Sequence, residues 1–185
     1  SLTAQLLVIH KASGQVCAAT PPHTAFLSHT VADISITDSR GFFELKGGAG
    51  HVTEGQEIEA IQLVDGRIDC TGYLGERRTP FCLSFTALDD VQLTFRVQVS
   101  NTDSAGSRSR TTLSLVYSDD AYAYGCGEQF THVDLRGQRV PIISQEPGIG
   151  RGIQPLSWVI DTAFRAAGST VHSNAPAPHL FTSDN

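Results

Sequence analysis

The stretch of this sequence best equipped for chemistry runs from Tyr124 to Gly152. There Gly125, Gly127, Gly137, Gly148, Gly150 and Gly152 are interleaved with Glu128, Gln129, Asp134, Arg136, Arg139, Gln145, Glu146 and Arg151. Glycine at this density lets a backbone make tight turns at positive φ, as loops at a site or a domain seam need. Carboxylates, carboxamides and guanidinium groups on such loops can grip a polar ligand, or they can pair with one another and only hold the loops in place. Residue chemistry leaves both readings open.

Several chemistries are disfavoured. Gly125-Cys126-Gly127-Glu128 is not a phosphate cradle, because no Lys-Ser/Thr follows and Glu128 would repel a phosphate. Cys126 and His132 are near in sequence, but that does not make a nucleophile and its base, and Cys126 reads as a packed thiol. The seven histidines show neither HxH nor HExxH spacing, so neither a metal nor another cofactor is expected. Cys17, Cys70, Cys82 and Cys126 lack CxxC or Cys/His zinc spacing and do not form a disulfide framework; they read as reduced thiols, which favours a cytosolic setting. A net charge of −6 without a basic run argues against nucleic acid and anionic membranes as partners, and Arg108 and Arg110 read as part of a solvated Ser/Gly-rich loop. No segment has the ~18 consecutive apolar residues of a membrane span. The absence of Met and the start at Ser1 suggest a piece excised from a longer protein.

The elements that must position these loops are strands. Phe81, Leu83, Phe85 and Ala87 alternate with other residues, and after Leu88-Asp89-Asp90 the alternation resumes at Val91, Leu93, Phe95, Val97 and Val99. Period two places one apolar face on each strand of an antiparallel hairpin. Shorter runs at Ile34/Ile36, Ile58/Ala60, Ile61/Leu63 and Leu113/Leu115 continue the pattern, with turns at Gly14, Ser39-Arg40-Gly41, Gly47-Gly48, Asp65-Gly66 and Asn101 to Gly106. Later the period changes: Leu156, Val159, Ile160, Ala163, Phe164 and Ala167 form a helical stripe, predicting an amphipathic helix over 155–167 with Pro155 at its first position and Gly168 at its C-cap. The lone Trp158 reads as a core residue. Asn174 to Pro178 cannot be a central strand or a helix. The whole predicts one compact unit over 1–185, an all-β antiparallel sandwich with a short C-terminal helix.

Four segments then stand out together: Tyr124-Gly125-Cys126-Gly127-Glu128-Gln129, Asp134-Leu135-Arg136-Gly137, Val140-Pro141, and the run from Ser144 to Arg151. In this order and spacing they resemble the end of the N-terminal region in glycoside hydrolase family 31. Cys126, the Gln145-Glu146-Pro147-Gly148 run, Ala167-Gly168 and the Pro176/Pro178/Phe181 pattern resemble its sulfoquinovosidase branch. The resemblance covers about residues 124–182; residues 1–123 contribute a compatible strand pattern without a motif. It implies a galactose-mutarotase-like β-sandwich joined to a catalytic (β/α)₈ barrel of a retaining α-glycosidase. The nucleophile and the general acid/base would be barrel aspartates, and no catalytic residue maps onto this chain. The substrate would be an α-glycoside such as a sulfoquinovoside, bound through the parent enzyme. Gln129 and Glu146 are the expected substrate-side residues; Glu128, Arg136 and Arg151 are expected to shape the loops, all five in one cluster at the face that meets the barrel.

Two other classes compete with this one. A freestanding sugar-binding β-sandwich would use Trp158, Tyr122 and Tyr124 as stacking faces. An aldose-epimerase-like enzyme would transfer protons between His132 or His172 and Glu128 or Glu146.

Overall fold

A computed structural model of the chain describes residues 5–32, 34–39, 42–47, 51–53, 55–90, 92–100, 108–129, 131–145, 148–164, 167–168, 170 and 172–183. In chain order its strands are β1 (Leu7–Ile9), β2 (Val16–Ala19), β3 (Leu27–Ala32), β4 (Ile34–Ser39), β5 (Phe42–Gly47), β6 (His51–Thr53), β7 (Gln56–Val64), β8 (Arg67–Leu74), β9 (Thr79–Ala87), β10 (Leu93–Val99), β11 (Arg108–Leu113), β12 (Ala123–Gly127) and β13 (Pro176–Thr182), with one helix, α1 (Leu156–Phe164), before β13. They fall into two compact units, residues 1–34 with 47–116 and residues 35–46 with 117–185.

The first unit is an antiparallel sandwich. Asp65 and Gly66 both take positive φ, 49° and 77°, as a two-residue hairpin turn requires, and they close β7 onto β8. The predicted hairpin is β9 with β10, paired from Phe81↔Val99 to Leu93↔Ala87; Val91 lies outside the described residues. These four strands form a sheet in the order β10-β9-β8-β7, and a second sheet has the order β11-β3-β6. The core of Phe26, Leu27, Cys70, Leu74, Phe81 and Leu83 joins residues of β3, β8 and β9, with Ile58, Val97, Val99 and Leu113 packed around it.

A register shift between Ile58 and Ala60 pairs Ile58 with Gly72 and Ile61 with Cys70. Because cross-strand partners share a face, this bulge puts Ile58 and Ile61 on the core side although they are three residues apart. Alternation identifies the apolar face, but packing covers only one end of it. The next row, Leu63↔Ile68↔Phe85↔Phe95, leaves Leu63 75% and Phe95 54% exposed.

Arg108 and Arg110, expected in a loop, lie on β11 and pair with Ala32 and Thr30. An edge strand with exposed polar side chains needs no apolar alternation, so the sequence carried no strand signal there. The predicted turns at Gly48, at Arg40-Gly41 and over 101–106 fall outside the described residues.

The second unit holds the hairpin β4–β5, the pair β12–β13 and α1. β13 begins at Pro176 and includes Pro178, which is possible because among the described residues it has a single partner, β12. α1 starts one residue after Pro155, whose carbonyl accepts from the Val159 N–H at 3.1 Å; residues 165 and 166 lie outside the described set. Its one buried residue is Ser157, while Leu156, Val159 and Phe164 are exposed. Trp158, expected in the core, is 65% exposed. The reason is close backbone approach: a Cβ on Gly150 would lie 2.7 Å from Ser157 Oγ, so the helix sits on the glycine turn by the small Ser157 side chain. Among the described residues no helix is long and apolar enough to cross a membrane.

Candidate functional site

The Tyr-Gly-Cys-Gly-Glu segment is the bulged end of β12. Gly125, Cys126 and Gly127 all have positive φ, at 117°, 60° and 81°, and the register with β13 shifts between Gly125 and Gly127. A Cβ on Gly125 would strike the His179 carbonyl, and one on Gly127 would strike the Ala175 carbonyl. The two glycines are therefore required by strand contact as well as by φ. Gln129 Nε2 donates to the Cys126 carbonyl at 3.1 Å and braces the bulge, and the Glu128 N–H donates to Ala175 O at 3.1 Å. The Glu128 side chain is exposed.

Arg136 stands at the opposite end of β12. Its Nε donates to Asp134 Oδ2 at 2.7 Å, and its guanidinium carbon lies 4.5 Å from the centre of the Tyr122 ring. Asp134 Oδ1 accepts from the N–H groups of Ala123 and Arg136, each at 3.2 Å. Burial by itself would raise the Asp134 carboxyl, but the Arg136 hydrogen bond and the two backbone donors outweigh it and hold the group below its ordinary value. Tyr122, Tyr124 and Phe181 form a row of rings with centroids 6.3 and 5.7 Å apart, and His179 continues it at 5.8 Å from Phe181.

Residues 173–175 bring two loops together. Besides Ala175 O, which takes the Glu128 N–H, Asn174 O accepts from Ser144 Oγ at 2.8 Å and Ser173 O accepts from the Gln145 N–H at 3.0 Å. Gln145 is 8% exposed and works as a staple: its Oε1 accepts from the Phe43 N–H at 3.2 Å and its Nε2 lies 3.3 Å from His172 Nδ1. With Oε1 engaged as an acceptor, Nε2 must donate to a neutral Nδ1; burial shifts the His172 ring below its ordinary value, in the same direction. Glu146, the next residue, lies outside the described set.

Of the five expected site residues, Glu128 and Gln129 thus stand beside the loop that leads to Glu146. Arg136 is anchored at the other end of β12, through Asp134 on Ala123 and against Tyr122, and Arg151, at φ 41°, belongs to the turn against α1. Gln145 was missed as a positioning residue, because nothing in its sequence context distinguishes a buried carboxamide from a solvated one. The four cysteines are free; Cys70 is buried, which raises its thiol to about 11 and makes it inert at neutral pH. Among the described residues no three His, Cys, Asp or Glu side chains converge as metal ligands.

The chain is 33% identical over 97 residues to the sulfoquinovosidase of Escherichia coli K12, and 33% identical over 76 residues to that of Agrobacterium fabrum. Its fold matches a family 31 sulfoquinovosidase from E. rectale, solved with the aza-sugar inhibitor IFGSQ, at a TM-score of 0.74 and 20% identity over 98% of this chain. The chain is similar to the sulfoquinovosidases of glycoside hydrolase family 31. The alignments cover 52% and 40% of this chain but only 14% and 11% of the two curated sulfoquinovosidases, and the fold match covers 25% of the solved one. No family model matches. The structural match extends the likeness to the fold of residues 1–123, where sequence motifs gave none.

Proposed function

We propose that the chain is a non-catalytic N-terminal domain, of galactose-mutarotase-like type, in a retaining α-glycosidase of the sulfoquinovosidase kind. Its loops around Gln129 and Glu146 shape the active site of a (β/α)₈ barrel that supplies the catalytic aspartates and the grip on an α-glycoside such as a sulfoquinovoside. The observation that supports this reading is the junction at residues 173–175, where the Tyr124–Gln129 segment and the loop from Ser144, both part of the sequence resemblance, are tied to one backbone segment. Retaining hydrolysis needs two free carboxyl groups about 5 to 5.5 Å apart. Asp134 does not fit that role, being engaged by Arg136 and by two backbone N–H groups.

Purified as the 185-residue chain, the protein is expected to show no turnover of an aryl α-sulfoquinovoside or α-glucoside. In an enzyme carrying this domain beside its barrel, Gln129→Ala or Glu146→Ala is expected to lower kcat/KM about tenfold or more, the loss typical of one charge-assisted or site hydrogen bond. Turnover by the chain alone, abolished by Glu146→Gln, would overturn the proposal.

A further inference from the structure

The four-stranded sheet of the first unit has a second face, turned away from the core, and that face holds a groove. Register places Asp69, Ser84 and Arg96 in one row across β8, β9 and β10, with Arg67, Thr86 and Thr94 in the next and Cys82 beside Gln98 on the other side. These positions alternate with the core residues Cys70 and Leu83, so they share the outer face. The groove on this face, with Arg67, Ser84, Thr86, Thr94, Arg96 and Gln98 in its wall and Cys82 and Phe95 completing it, has a volume of about 460 Å³. That is the size of a small-ligand site.

The charges in this groove do not cancel. Arg67 holds Asp69 with two parallel hydrogen bonds of 2.7 and 2.8 Å, and Ser84, 7% exposed, also hydrogen-bonds that carboxylate. Asp69 is thereby neutralised by Arg67 beside the groove. Arg96 forms no ion pair among the described residues, so a guanidinium charge is left over in a chain of net charge −6. A guanidinium presents a planar fork of N–H donors suited to two oxygens of a carboxylate, sulfate or sulfonate. Around it are groups suited to hydroxyls. Thr94 Oγ1 spends its proton on the Thr86 carbonyl at 3.1 Å and keeps its lone pairs as acceptors, and Gln98 offers both a donor and an acceptor.

We propose that this groove binds a small polyhydroxylated anion, a monosaccharide bearing an oxyanion, with Arg96 taking the oxyanion and Thr86, Thr94 and Gln98 taking hydroxyls. The inference is independent of the loops around Glu128 and of any barrel. It is tested by calorimetric titration of the full chain with glucuronate, glucose 6-sulfate, glucose and inorganic sulfate, the two sugar anions distinguishing a carboxylate ligand from a sulfated one. At least one sugar anion is expected to bind saturably, about tenfold or more tightly than glucose or sulfate, and to weaken as salt rises. Arg96→Gln, at an exposed position that leaves the core untouched, is expected to reduce that affinity about tenfold. Thr94→Val should reduce it less while leaving the melting temperature unchanged. Glucose or sulfate binding as well as the sugar anions, no saturable binding at all, or an Arg96→Gln protein that binds like the parent would each overturn the proposal.

Discussion

Two residues show how much of this chain is decided by local contact. Gly127 has a φ of 81° and lies so close to β13 that a Cβ would meet the Ala175 carbonyl and come within 2.7 Å of the Ala177 nitrogen. A side chain there adds left-handed strain to a steric clash, each worth about 1 to 3 kcal/mol. Gly127→Ala is therefore expected to lose roughly 3 kcal/mol in urea unfolding; a loss below about 1 kcal/mol would mean that β12 and β13 do not approach as described. Asp134 gives the pH counterpart. Its carboxyl lies below the ordinary 3.8 in the folded protein, so its contribution is fully present above that value and disappears as pH falls through the depressed one. Asp134→Asn should melt earlier than the parent at pH 7, and the two should converge at acid pH below the depressed value. Melting curves that stay equally far apart at both pH values would refute this. The glycines of the motif were legible as loop formers, whereas their specific partner, a strand some fifty residues later, was not.

At the scale of elements, Gln145 ties its own loop to two other pieces of chain: β5 through the Phe43 N–H, and the segment before β13 through Ser173 O and His172. Truncating it removes the carboxamide that the Phe43 N–H and the His172 ring engage, and a lost buried hydrogen bond of this kind costs about 1 to 3 kcal/mol. Gln145→Ala is expected to lower stability by about 2 kcal/mol and to speed amide exchange in β5 and at residues 172–175. Exchange unchanged in β5 would show that the staple does not operate. The helix teaches a complementary lesson. Its apolar period was plain, yet the side that packs is Ser157, because a glycine turn permits an approach that larger residues forbid. Periodicity reports which side chains are apolar, and contact decides which of them are covered.

For the molecule as a whole, the uncovered apolar groups have a consequence. Leu63, Ile68 and Phe95 continue the inner face of the four-stranded sheet beyond its cover, and Leu156, Val159 and Phe164 line the exposed side of α1. Contiguous apolar surface of this sort drives association in water. The isolated chain is expected to self-associate with rising concentration in sedimentation velocity, and Leu63→Lys to shift it toward monomer; a monomer at every concentration would refute the expectation. The sequence by itself determined the all-β class, the Asp65-Gly66 hairpin, the β9–β10 pair and the family likeness, because each of these is written in neighbouring residues through turn chemistry, period two or motif spacing. Tertiary structure alone decided the rest: the strand at Arg108 and Arg110, the bulge that puts Ile58 and Ile61 on one sheet face, the exposure of Trp158, and the union of Glu128 with Gln145 at residues 173–175. Those outcomes depend on partners distant in the chain, whose approach is set by backbone hydrogen bonds and side-chain volume, and a one-dimensional pattern carries neither.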